Sequence, residues 1–486
     1  PGAGGPGRCP LCPPSTSPVS RRQPRPCVKC GENTAAVVIR VGDGFCRACF
    51  REYFVHKFRA MLGKNRVIFP GEKVLLALSG GPASSAMLRQ VQEGLSRETA
   101  KRLRFVPGLI HIDEGAVCGQ SPAQREQNLA RMEALLQETG FPYYLALELP
   151  GSVLRRGAGA AGEPCPSYKE AVEGFIQQQR QEAADGDGDT SSVGSSTQHG
   201  PGGHPAAPRL PPATLTAELL RLFEAAETLT AKEELLQMLR GHLILHTART
   251  RGYPKVMTGE SCTRVAVKLL TNLALGRGAF LAVDTGFVDS RHGDVTLVRP
   301  MREYMAKEIA FYNHFFGVPT VITPPLSTKR REKTSIHRLM ESFLLGLQAD
   351  FPSTISTVYR TGEKLSAAPA EASSELQRCL LCLCAMDIDG VCDHVPMWLS
   401  GRGGAGLGTR ATIPAHHPSP RRADSRAAFI PLLCYSCRLT FKEMGPPTTL
   451  PSYVRTEARH RSCRARMKEQ IQEFLLEDDE EEPGTS

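Results

Sequence analysis

One stretch constrains this chain more than any other: KVLLALSGGPASSAML, residues 73–88. A near-continuous apolar run closed by a glycine turn reads as a strand covered on both faces. Strands of that kind belong to parallel sheets, whose neighbours are joined by crossovers, usually helices. The remaining chain should therefore alternate, and it does. RFVPGLIHID and FPYYLALEL read as strands two and three. Between them SPAQREQNLARMEALLQETG reads as a helix capped by Ser121, with Pro122 at its start, Leu129, Met132 and Leu136 on one face, and Gly140 at its end. Further on, LTAKEELLQMLRGHLILHTARTRG reads as a helix with Thr230 and Glu233 as a capping box. YPKVMTG follows as a strand, SCTRVAVKLLTNLALG as a helix, and FLAVDTGF with VTLVRPM as a strand pair. RPMREYMAKEIAFYNHFFGVP and SIHRLMESFLLGLQADFP read as later helices. The expected class is α/β, a parallel sheet with helices on both faces and its crevice beyond the carboxyl ends of the strands.

At 486 residues the chain exceeds a single core. Residues 1–26, rich in Pro, Gly, Ser and Arg, are expected to be disordered, followed by a cysteine-rich ribbon at 27–51. The α/β domain is placed at 52–370, with a low-complexity insertion at 183–213. A second cysteine ribbon spans 371–440, interrupted by a disordered stretch at 399–428, and 441–486 runs from helix into the acidic tail Glu477–Glu482. The net charge of +9 permits a polyanionic partner without requiring one. No apolar run reaches the roughly 18–20 residues of a membrane span, and the first residues lack an apolar leader segment. Sixteen cysteines without a leader point to a reducing compartment in which thiols bind metal or stay free.

The cysteines are paired in a way that suits metal. CVKC and CRAC supply Cys27, Cys30, Cys46 and Cys49, with fifteen residues between the pairs. Two such knuckles close a tetrahedral four-thiolate zinc site whose role is structural, since no coordination position stays open. CLLC and CYSC supply Cys379, Cys382, Cys434 and Cys437 for a second zinc site, with Cys384, Cys392 and His394 as substitutes for a ligand. Cys9 and Cys12 have no nearby partner pair. His242 and His246 stand four apart on a predicted helix, but no third ligand is in sight. Cys165 and Cys262 stand alone as reactive-thiol candidates.

The glycine turn offers Ser79, Gly80, Gly81, Ser84 and Ser85. Glycines let backbone N–H groups close around phosphate, and the following helix, expected from about Ser84, would point its positive end there. The GxxxxGK[ST] pattern of the other common phosphate loop is absent.

The order of these parts is a knuckle pair, a strand ending in LSGGPASS, then MTGESCTRVAVKLLTNLALGRG, RPM and a terminal cysteine ribbon. This order resembles the tRNA 2-thiolation proteins of the PP-loop superfamily. VHKFRAMLGKNRVIFPGEKVLLALSGG, SIHRLMESFLLGLQADFPSTISTVYRTGEKL and RCLLCLCAMDID carry the likeness, which runs from about Cys27 to Tyr435. The resemblance implies a PP-loop α/β fold. In active members the turn reads SGGxDS and a second motif reads TGHNxDDxxET. Here Ala83 stands at the first acid, Thr263 and Arg264 at the next two, and Val267 at the glutamate. Adenylyl transfer needs magnesium, and magnesium needs hard oxygen ligands. The turn therefore keeps a phosphate-sized shell, with ATP open as a ligand, but has lost the anchors of the reaction.

By this resemblance the chain is expected to be the non-catalytic half of a heterodimer with a homologous PP-loop ATPase. That complex 2-thiolates the wobble uridine of tRNA Lys, Glu and Gln, with sulfur from a thiocarboxylated ubiquitin-related modifier. Lys57, Arg59, Lys64 and Arg66, and Lys329, Arg330 and Arg331, are phosphate-contact candidates. Two other readings stay open: an ATP-dependent thiotransferase with Cys262 carrying sulfur, and a zinc-ribbon adaptor that binds only proteins.

Overall fold

Val74, Leu75 and Leu76 are fully buried in succession, which only a strand covered on both faces permits. They belong to the central strand of a computed structural model. It describes residues 25–39, 42–97, 102–146, 155–156, 210–211, 213–278, 281–326, 334–365, 378–384, 386 and 426–471. Two compact units divide the chain, Pro1–Arg59 and Ala60–Ser486.

In the first unit a two-stranded antiparallel sheet, β1 (Val37–Val38) and β2 (Gly44–Phe45), precedes helix α1 (Arg47–Asn65). Along α1, Phe50, Phe54 and Phe58 are buried, each one helical turn from the last.

The second unit is the predicted α/β body. Its elements follow as β3 (Lys73–Ala77), α2 (Pro82–Leu95), β4 (Val106–Ile112), α3 (Pro122–Glu138), β5 (Tyr143–Ala146) and β6 (Arg155–Arg156). Next come α4 (Ala213–Glu224), α5 (Leu229–Thr250), β7 (Lys255–Thr258), α6 (Cys262–Ala274), α7 (Leu281–Thr285), β8 (Val288–His292) and β9 (Val295–Val298). The rest are α8 (Ala306–Phe316), α9 (Ile336–Asp350), α10 (Thr354–Glu363), α11 (Arg426–Phe429), α12 (Tyr435–Glu443) and α13 (Ser452–Ile471). The sheet order is β6-β5-β4-β3-β7-β9-β8, parallel from β5 to β9, with β6 and β8 antiparallel at the edges. The expected parallel sheet is thus present, and each edge is closed by an antiparallel strand.

Period-two alternation assigns the faces. Leu75, Ile110, Tyr144, Val256 and Val295 form one core with Leu245 and Ala248 of α5. Val74 and Leu76 point to the opposite face. From β3 the chain moves through β4 to β5 on one side, then returns to place β7 on the other side of β3. That reversal opens a crevice at the carboxyl ends of β3 and β7, and both motifs singled out in the sequence lie there.

Local expectations held where the signal was local. Ser121 and Gln124 form a capping box on α3, and Pro122 opens it. Two expectations need correction. FLAVDTGF is not the first strand of a pair: its middle forms the short helix α7, and the pair is β8 with β9. A short apolar run does not distinguish strand from buried helix by period alone. The cap of α5 is Thr228, whose Oγ accepts from Ala231 N at 3.1 Å. Thr230 lies inside the first turn and accepts from Ile336 N at 3.2 Å, so a tertiary contact decided between two threonines. Of the stretches expected to be disordered, 1–26, 183–213, 399–428 and the acidic tail, residues 1–24, 183–209, 212, 399–425 and 472–486 lie outside the described residues, whereas Pro26 bridges to Thr34, Ala213 begins α4 and Arg426 begins α11. Among the described residues no helix is long and apolar enough to cross a membrane.

Candidate functional site

The glycine turn joins β3 to α2, and the helix starts at Pro82, two residues earlier than its sequence suggests. Gly80 has φ of +79°, a left-handed conformation open chiefly to glycine. Its surroundings are closed as well. Val321 N donates to Gly80 O at 2.9 Å, and a Cβ on Gly80 would come within 2.7 Å of Val321 O. Gly259, at the end of β7, packs so tightly on the helix start that an added Cβ would lie 2.8 Å from Ser84 N. The two motifs therefore touch through glycine backbone.

Within the turn, polar groups are spent on one another. Ser84 Oγ donates to Gly81 O at 3.0 Å, and Ser85 Oγ donates to Gly80 O at 3.2 Å. Ser79 and Ser84 hydroxyls stand 3.3 Å apart. Pro82 removes one N–H from the helix start, and Gly81 provides no side-chain cap. Ala83, Thr263, Arg264 and Val267 offer no carboxylate.

The acids that do lie nearby are committed to bases, a feature sequence reasoning missed. Glu260, next to Gly259, pairs with Arg299 at 2.5 Å and Lys268 at 3.6 Å. Arg299 also holds the fully buried Asp289 at 3.0 Å, and Asp289 pairs with Arg291 at 2.5 Å. Asp284 accepts from Asn272 at 2.8 Å and pairs with Lys268 at 3.3 Å and with Arg291. Burial opposes the charge on Glu260, Asp284 and Asp289, but the three bases prevail and hold each carboxyl below its ordinary range. Three acids and three bases form a closed, neutral network. The residues at this crevice do not fit a magnesium–ATP site.

The cysteines behave otherwise. Cys27, Cys30, Cys46 and Cys49 bring their Sγ atoms within 4.8 Å of one another, and so do Cys379, Cys382, Cys434 and Cys437. A tetrahedron with zinc–sulfur arms of about 2.3 Å has edges near ~3.8 Å. The Sγ separations are 4.0 Å for Cys30–Cys46 and 3.7 Å for Cys382–Cys434. Both sets fit a structural zinc ion.

The two centres are built alike. In each, the first pair sits in a turn whose next residue is left-handed: Gly31 at φ +70° and Leu383 at φ +58°. The second pair brackets the first turn of a helix, α1 in one centre and α12 in the other. Backbone N–H groups of Cys30 and Cys46 pull the Cys27 thiol down to about 6, whereas burial and the neighbouring cysteines push the Cys49 thiol up to about 12. In the second centre the neighbouring cysteines likewise lower Cys379 and raise Cys434 and Cys437. Cys379, Cys434 and Cys437 also belong to a core with Leu219, Phe223, Leu235 and Phe429. Arg277 adds positive charge at this centre, bonded to Ser436 Oγ at 3.0 Å and Glu234 at 2.5 Å. Cys384 is not in the metal set; Arg291 donates to its sulfur at 3.2 Å.

Other candidates fare variously. Cys262, the proposed sulfur carrier of the thiotransferase reading, is only 3% exposed and packs among Val265, Leu344 and Tyr359. Cys9, Cys12, Cys165, Cys392, His394, Lys329, Arg330 and Arg331 lie outside the described residues. His242 stacks on Tyr453, centroids 3.5 Å apart, and burial lowers its pKa to about 4. Lys57 bonds Tyr53 at 3.2 Å, Arg59 is half-buried, and Lys64 and Arg66 are exposed.

A family model described as cytoplasmic tRNA 2-thiolation protein 2 matches residues 335–439. The protein of that name from Rattus norvegicus is 52% identical over 501 residues, covering 97% of this chain and 93% of the relative. Its counterpart from Bos taurus is 54% identical over 478 residues, covering 94% of each. The chain belongs to the cytoplasmic tRNA 2-thiolation protein 2 family. Among solved structures, the U34-tRNA thiolase NcsA from Methanococcus maripaludis with its 4Fe-4S cluster is similar at 14% identity and a TM-score of 0.41, over 70% of this chain and 87% of that one. The stretch matched by the tRNA 2-thiolation protein 2 model begins at Ser335, the cap of α9, and holds all four cysteines of the second centre. It does not include the glycine turn.

Proposed function

We propose that this chain is the non-catalytic subunit of a cytosolic heterodimer that replaces the C2 oxygen of the tRNA wobble uridine with sulfur. Its partner is a homologous PP-loop ATPase that adenylates the uridine oxygen. Sulfur comes from a thiocarboxylated ubiquitin-related modifier, and the substrates are the tRNAs for Lys, Glu and Gln, whose U34 becomes 5-methoxycarbonylmethyl-2-thiouridine. Two structural zinc ions brace the chain. Lys57, Arg59, Lys64 and Arg66, and Lys329, Arg330 and Arg331, serve as RNA contacts, and the turn at Ser79, Gly80, Gly81, Ser84 and Ser85 is a degenerate phosphate loop.

The observation that carries this reading is the crevice at β3 and β7. It keeps the turn but has neutral or basic residues where magnesium would need acids, and nearby carboxylates are locked in ion pairs. A chain so built can hold a partner and a substrate without performing adenylation. ATP–pyrophosphate exchange tests it. The co-purified pair is expected to exchange, and this chain alone is expected to show none; magnesium-dependent exchange by the isolated chain would make it an active enzyme.

A further inference from the structure

Helix α13 leaves its support halfway along. Its packed stripe is Val454, Ala458 and Arg461, at i, i+4 and i+7, and Arg461 donates to Arg378 O. Ala465 continues that stripe but is exposed, as is every residue from Cys463 to Met467. The helix runs on to Ile471, about 15 Å beyond Arg461 at 1.5 Å per residue. No acid occurs between Arg459 and Met467, a span with four arginines and His460.

The surface so formed has a definite chemistry. Arg459 and Arg466 lie on one side of the exposed arc, and His460 and Arg464 on the other. Arg455, a turn before Arg459, keeps its Nε buried with no hydrogen-bond partner among the described residues. Met467 is the one large apolar side chain exposed on this helix among the described residues. A protein-binding patch would centre on apolar and aromatic anchors with charge depleted. A membrane-surface helix would carry an apolar face along its length, and here the packed stripe passes from Val454 and Ala458 to the guanidinium of Arg461. Guanidinium groups spread over an otherwise polar helix suit a row of phosphates, which arginine grips bidentately.

We propose that the exposed face of α13 between Arg459 and Met467 is an arm that contacts the phosphate backbone of RNA. The assignment rests on the tRNA reading above and deepens it, since none of the contacts inferred from sequence lies on this helix.

The test uses the full chain and an unmodified tRNA transcript, with fluorescence anisotropy across a salt series. Arg459→Glu, Arg464→Glu and Arg466→Glu combined should weaken binding at least tenfold and flatten the log–log salt slope by about 2 to 3. The corresponding triple lysine variant should bind within about threefold of the parent, since it keeps the charge. A charge-reversed chain that melts normally and binds with unchanged affinity and slope would refute the arm while leaving the tRNA reading intact. An unsubstituted chain that binds no tRNA, alone or with its partner, would refute both.

Discussion

Gly80 shows what a single residue can settle. Its φ of +79° and the carbonyl of Val321 beneath it make glycine a requirement of the backbone, whether or not phosphate ever binds. Left-handed geometry alone costs an alanine about 1–2 kcal/mol, and the clash adds to that. Gly80→Ala should therefore lower the melting temperature by several degrees, measured by calorimetry, with no dependence on added nucleotide. Buried charge gives a sharper case. Removing Asp289 leaves Arg299 and Arg291 facing each other without it, and breaking a buried pair of this kind costs about 3–5 kcal/mol. Asp289→Asn should show that loss in denaturant unfolding. His337 lies between Glu233 at 3.2 Å and Glu234 at 3.0 Å, with Gln237 at 3.1 Å and Arg277 and Arg338 on the same carboxylates. Burial opposes its charge, but the two glutamates raise its pKa to about 9. A pKa raised on folding stabilises fully below the unfolded value and less as pH climbs through the folded one. His337→Gln should cost at most about 3 kcal/mol near pH 6, and the deficit should vanish by about pH 10. An equal deficit at both ends would mean that the ring acts by packing alone.

Helices, strands and metal centres differ in how much of them the sequence announces. β3 was legible because three consecutive buried residues demand an apolar run, and α3 because its cap is written in adjacent residues. The second metal centre was legible although its halves are 52 residues apart, because a CxxC pair carries its own local geometry. What stayed hidden depends on tertiary contact. Nothing near Glu260 or Asp284 in the sequence says that Arg299 will pair with the first and Arg291 with the second, and Thr230 is drawn to Ile336 only once α9 is in place. The two metal centres should also respond differently to damage. Cys46→Ser removes a ligand from the first unit, whose described core is small, so unfolding should be confined there. Cys437→Ser opens a centre embedded in the apolar cluster around Phe429, Phe441 and Leu235, and should destabilise the α/β body as well. Hydrogen exchange by peptide would separate the two, with β3 and β4 protected in the first variant and not in the second. Equal loss of protection in both would contradict this division.

As a whole molecule, the chain keeps a mostly parallel sheet with a glycine turn at its crevice and commits the charges there to ion pairs. The crevice lies where such folds bind ligand, yet its carboxylates are neutralised and its turn is closed by Val321, while each four-cysteine set would leave a zinc ion no open position. The most direct measurement is mass spectrometry of 2-thiouridine in tRNA from cells lacking this chain, then resupplied with the natural sequence or with Ser79→Glu. That exposed substitution sets a carboxylate in the turn and repels phosphate without disturbing the core. Wobble thiouridine should be lost without the chain and restored by both forms. Undiminished thiouridine in its absence, or a stably folded Ser79→Glu protein that restores none, would contradict the proposed function.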